Sequence, residues 1–157
     1  MKPAYLVFSS ALQPRVDVVA WDGQAQRFFS TRLEQVDPPG DGDAPSNVMA
    51  FSSVMTAPAR IRVTPPKEPA GERVLAARPR DAADMALAEE AEVRAGGGGL
   101  VLLARRCHSV WVVTREEEDD RLALRLAMVL ASVVLGPILD ARGPELFGVK
   151  TARAKLE

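Results

Sequence analysis

The sequence predicts an α+β domain: a mainly antiparallel sheet with two principal helices, one of them central and buried, packed on one face. Three observations carry this reading. Residues 1–78 are short apolar runs broken by Pro, Gly and Asp turns; residues 79–140 read as helix, hairpin and helix; and residues 126–135 form one unbroken apolar stretch. A strand-rich half followed by helices points to α+β and not to alternating βαβ units. At 157 residues, 47% hydrophobic and 26% charged, the chain fits one domain over residues 1–157, with 141–157 a short C-terminal tail.

In chain order, the apolar run Tyr5 to Ser9 is the first strand, too short to be a secretory signal. Val16 to Trp21 and Gln26 to Leu33 are expected to pair about Asp22-Gly23, because Asp-Gly tolerates the positive φ of tight turns. Asp37 to Ser46, with three prolines and two glycines, reads as an exposed loop. Val48 to Met55 and Arg60 to Thr64 are strands, Pro65 to Gly71 a second loop, and Arg73 to Ala77 a short strand.

Asp81 is placed to cap a helix running to about Ala95, with Asp84 in its first turn and Gly96 to Gly99 at its exit. Leu100 to Ala104 and Val110 to Val113 are expected to form a hairpin turning near Arg105 to Ser109. Thr114 and Glu117 have capping-box spacing, so the second helix should start there, run through the acidic residues 116–120 and stop at Leu135, before Gly136-Pro137. Ala123, Ala127 and Ala131 recur every four residues and would let a neighbour approach closely. Leu146, Phe147 and Val149 should dock on the core and leave Lys150, Arg153 and Lys155 on a basic tail.

Charge and composition exclude several functions. Twenty basic and twenty-one acidic residues leave a net charge of −1, unlike a dedicated nucleic-acid binder. The apolar stretch 122–139 contains Arg125 and Gly136-Pro137 and falls short of the about 20 apolar residues of a bilayer span, so no membrane partner is expected. A single cysteine, Cys107, rules out an intrachain disulfide and suits a reducing cytoplasm. Sixteen arginines against four lysines, with abundant alanine, suggest a GC-rich bacterial genome.

Candidate chemistry is sparse. Cys107-His108 pairs a thiol with the only imidazole, but neighbours on a strand point to opposite faces. One Cys and one His cannot build a zinc site, and Asp37, Asp41 and Asp43 lack calcium-loop spacing, so no metal or cofactor is expected. Gly96 to Gly99 would follow a helix where a phosphate loop precedes one. Glu89, Glu90 and Glu92, and the acidic run 116–120, read as solvated helix charges. Ser9-Ser10 and Ser52-Ser53 lack any hydrolase motif. Arg60 and Arg62 share a strand face, and Arg105-Arg106 add a second basic spot for anion or partner contact.

No catalytic residue is assigned. The expectation is a non-enzymatic cytoplasmic protein-binding module: a regulator, inhibitor, adaptor or immunity-type partner of another bacterial protein. Phe28, Phe29 or Trp111 could anchor such a partner, although core packing is the first expectation for each. Self-association through an edge strand of the N-terminal sheet is also expected. Two alternatives stand beside it: a small enzyme with a site near Cys107 and His108, and an anion or nucleotide sensor using Arg60, Arg62, Arg105 and Arg106.

Overall fold

A computed structural model describes residues 4–36 and 55–157. The described strands are β1 (Ala4–Ser9), β2 (Arg32–Gln35), β3 (Ala59–Thr64), β4 (Gly71–Pro79), β5 (Ser109–Thr114), β6 (Ile138–Asp140) and β7 (Glu145–Phe147). They form one seven-stranded sheet in the order β2-β3-β4-β5-β1-β6-β7, with every neighbouring pair antiparallel. The helices are α1 (Val18–Phe29), α2 (Ala82–Arg94), α3 (Leu100–Arg105), α4 (Arg121–Val134) and α5 (Val149–Leu156). The α+β class and the antiparallel sheet are as the sequence predicts. The expected loop at 37–46 and the expected strand at 48–55, Met55 excepted, lie outside the described residues.

The period-2 alternation of the strands sends side chains to two cores. Tyr5 and Val7 of β1 join Ile61, Val63, Leu75, Trp111 and Val113 against α1, α4 and α5. Leu6 and Phe8 point the other way, with Val110 and Leu139, onto Ala88 and Ala91 of α2 and Val101 and Ala104 of α3. The two principal helices, α2 and α4, therefore lie on opposite faces, which corrects the expectation that both pack on one. Both faces of the central strands are apolar, so each needs a cover.

α4 is the buried helix the sequence predicts: Ala123 through Ala131 are all buried. Its start is corrected. Thr114 stays in the β5 ladder opposite Ala4, and its hydroxyl donates to Val74 O at 2.9 Å. Asp120 caps α4 instead, accepting from Ala123 N at 3.0 Å. α2 has the predicted Asp81 cap, and Asp84 completes a reciprocal capping box.

Two predicted hairpins are corrected. Residues 18–29 form a helix capped by Asp17, and Asp22-Gly23 sits inside it. Trp21, Ala25 and Phe29 recur every four residues and are buried, and burying two large aromatics outweighs the roughly 0.5–1 kcal/mol that a helical glycine costs. Trp21 meets Trp111 edge-on, with centroids 5.3 Å apart. Asp22 is not a turn residue; its carboxylate accepts from Leu33 N at 2.8 Å and ties α1 to β2. Gly23→Ala should therefore stabilise the protein by about 0.5–1 kcal/mol in chemical denaturation, since a Cβ there meets nothing within 4 Å. In the expected turn, the same change would be destabilising.

Leu100 to Ala104, expected as a strand, lies in a short helix, Leu100–Arg105, that buries Val101 and Ala104; a five-residue apolar run carries no period that separates the two. Gly96 to Gly99 all take positive φ and join α2 to α3. The chain past Phe147 is also helical, not a loose basic tail. Arg153 donates to Phe28 O at 2.9 Å, and Lys155 pairs with Glu145 at 2.9 Å. Among the described residues, no helix is long and apolar enough to cross a membrane.

Candidate functional site: a cleft floored by Arg125

The sequence-predicted basic residues are not brought into one site. Arg60 and Arg62 lie on β3 opposite Val74 and Glu72 of β4. Arg105 and Arg106 end α3, close to Ser109, which pairs with Pro79 at the far end of β4. Five strand positions separate Val74 from Pro79, roughly 17 Å. Most of these cations are also answered locally: Arg62 pairs with Glu72 at 3.1 Å, Arg60 with the same carboxylate at 3.8 Å, and Arg105 with Glu89 at 3.1 Å.

Cys107 is buried, and its thiol donates to Leu103 O at 3.2 Å, while His108 is exposed. Burial pushes the Cys107 thiol up, and the charge of Arg80 only partly opposes it. That is the opposite of an activated nucleophile. Native protein should therefore alkylate with iodoacetamide more slowly at pH 7.5 than it does unfolded; fast native labelling below pH 8 would revive the enzyme reading. Among the described residues, no group of three or more His, Cys, Asp or Glu is placed to hold a metal ion. The glycine run does lead into α3, but Glu92 fills that helix end by accepting from Val101 N at 3.2 Å.

Two of the clefts lie where α4 and α5 meet. The larger, about 350 Å³, lies at the start of α4 between Tyr5, Asp120, Asp140 and Phe147. Beneath it Arg115 is 1% exposed, stacks over the Tyr5 ring at 4.2 Å and pairs with Asp140 at 2.7 Å. Burial raises the Tyr5 phenol above its ordinary value, against the lowering charge of Arg115. The charges around this cleft answer one another. Asp120 holds Arg73 through two bonds of 2.7 and 3.0 Å, Lys155 holds Glu145, Arg142 holds Glu118 at 2.6 Å, and Arg121 holds Glu68. These ion pairs tie β4, β6, β7, α4 and α5 together around the cleft.

The smaller cleft, about 240 Å³, differs in one respect. It is walled by Phe28, Phe29, Met128 and Leu156, with Ser30, Pro66, Arg153 and Glu157 at its margin and Arg125 inside it. Arg125 projects from the most buried stretch of α4 and is only 9% exposed. Its Nη1 donates to Thr31 Oγ1 at 3.3 Å, and the Thr31 hydroxyl in turn donates to Phe29 O. Nε is buried with no acceptor, and the guanidinium has no carboxylate partner among the described residues. Burial pulls Arg125 below the ordinary guanidinium value, opposed by the more distant charge of Glu68 and reinforced by that of Arg121. Arg153 adds a second cation, stacked on the Phe29 ring at 5.0 Å.

Burying a charge without a counter-charge costs several kcal/mol. Arg125 is therefore a costly group to hold at the wall of this cleft, and a guanidinium is a group that carboxylates and phosphates can pair with. Arg125 was visible in the sequence as the one charge inside the apolar stretch of α4, where it counts against a membrane span. Its Thr31 contact, 94 residues away, has no sequence signal. No protein-family model, curated protein or solved structure matches this chain.

Proposed function

We propose that this chain is a non-enzymatic binding protein that recognises an anionic group of another protein in the Arg125 cleft. The observation that carries the reading is the guanidinium of Arg125, nine-tenths buried, with its Nε unbonded and no carboxylate paired to it among the described residues. A regulator, inhibitor or adaptor uses such a site for orientation and specificity, because a partner lacking the anion leaves the buried cation unanswered. The single cysteine, buried and reduced, supports a cytoplasmic setting. Phe28, 51% exposed at the cleft margin, is a suitable apolar contact, whereas Phe29 and Trp111 belong to the core.

The sensor alternative moves with the geometry, from Arg60, Arg62, Arg105 and Arg106 to Arg125 and Arg153. Self-association, if it occurs, would use β2, the outer strand nearest the N-terminal half. Its four residues include Arg32 and Glu34, and short charged edges discourage pairing.

The test is affinity capture from a lysate of the producing cells, with wild type and Arg125→Met in parallel. The reading expects one protein retained stoichiometrically by wild type and lost from the variant. Equal retention by both would place the contact elsewhere.

A further inference from the structure

Resting on that reading, we infer that the anion the Arg125 cleft accepts is a single carboxylate carried on a small apolar group. Three features of the cleft select this chemistry.

The first is charge. Arg125 and Arg153 bring two positive charges to the cleft and Glu157 one negative charge, which leaves one net positive charge. A monoanion balances it; a phosphate dianion would leave charge over in an apolar setting. The second is the wall. Met128, Leu156 and Phe29 are buried and line the space beside Arg125, and Phe28, 51% exposed, is the apolar side chain the cleft leaves open. An anion with no apolar part would leave the Phe28 ring against water. The third is size. At about 240 Å³ the cleft lies below the range of about 300–1,000 Å³ typical for drug-sized ligands, so it admits one side chain or a short acid.

Two sources offer this chemistry: the C-terminal residue of a partner chain, when that residue is apolar, and a free short-chain carboxylic acid. Both place the carboxylate on the guanidinium fork and the apolar part against Phe28.

The experiment is thermal unfolding and calorimetric titration of the full chain at fixed ionic strength. The probes are hexanoate, hexanamide, acetate, inorganic phosphate, and an eight-residue peptide ending in leucine, as free acid and as amide. Hexanoate or the peptide acid should raise Tm by roughly 5–10 °C at a hundredfold excess over its Kd. Hexanamide and the peptide amide should do nothing, and acetate and phosphate should bind at least tenfold more weakly. Arg125→Met should fold cooperatively and lose the shift; Glu157→Gln should tighten binding roughly twofold to fivefold. If the peptide acid is the tighter of the two, the source is a chain terminus; if hexanoate is, the source is a free acid, and the reading of this cleft as a protein-partner site is overturned while the carboxylate assignment stands.

Phosphate binding as tightly as hexanoate, an amide matching its acid, or binding that survives Arg125→Met would each overturn the inference. So would the absence of any shift. If Arg125-dependent protein capture persists without any carboxylate binding, this inference fails and the binding-protein reading stands. If neither is seen, both fail.

Discussion

Asp120→Ala should destabilise the protein by about 4 kcal/mol, more than a single cap or surface ion pair contributes. Asp120 is 1% exposed, and three groups depend on its carboxylate. Arg73, 12% exposed at its side chain, makes two bonds to it; Ala123 N is the capped end of α4; and Glu116 N, at 2.7 Å, holds the preceding loop. Removing one partner of a buried pair costs about 3–5 kcal/mol, because the other charge is left stranded, and losing an N-cap costs about 1. Asp120→Asn keeps a capping oxygen and should cost less, which preserves a measurable variant if the alanine does not fold.

Asp120 also sets an acid limit. Burial raises its carboxyl, but Arg73 and the amides of Glu116 and Ala123 outweigh that, so the folded value lies below the ordinary one. A depressed folded value contributes stability that is full above the unfolded value, about 3.9, and is lost as pH falls through the folded one. Urea midpoints measured from pH 6 down to 2.5 should fall less steeply for Asp120→Asn than for wild type. Parallel slopes would remove Asp120 from the account.

Gly136→Ala should cost about 3 kcal/mol or more and delay or abolish cooperative folding. A Cβ at Gly136 would lie 1.8 Å from Phe8 O and 2.7 Å from Phe8 C, both backbone atoms of the central strand β1. Neither can move freely, because Phe8 N bonds Pro137 O at 3.0 Å and Phe8 pairs with Val110 of β5. Overpacking of this kind usually costs about 1–3 kcal/mol, and the backbone neighbour places this site at the upper end. Gly136 is not in the left-handed region, so the penalty is steric. A thermal melt within 2 °C of wild type would show that the Gly136-Pro137 segment after α4 does not meet β1 as described.

Legibility in the sequence followed the kind of signal. β1, β3, β4 and β5 were readable because β-branched and apolar residues alternate between breakers, and α2 because Asp81 and Asp84 form a local cap. α4 was readable from its continuous apolar run, but its start was not. The Thr114 to Glu117 spacing imitates a cap, and only the β5 ladder shows that Thr114 is already used. Asp-Gly at 22–23 imitates a turn, and the tertiary burial of Trp21, Ala25 and Phe29 overrides it. The four glycines joining α2 to α3 mark a helix exit in the sequence but carry no sign that a helix, and not a strand, follows them. The site was the least legible part. The basic residues the sequence offers, Arg60, Arg62 and Arg105, find carboxylates on neighbouring elements. Arg125, buried and with no carboxylate partner among the described residues, looks in the sequence like an interruption of an apolar helix.

As an anion site in waiting, Arg125 is kept at a cost to the unliganded fold. Equilibrium urea unfolding of Arg125→Met against wild type, both without added anion, tests it most directly. Methionine fills similar space and removes an unanswered charge, so the variant should be more stable by about 1–3 kcal/mol at an unchanged m-value. A loss of about 3 kcal/mol or more would mean that Arg125 is already satisfied within the fold and that the cleft has no anion to wait for.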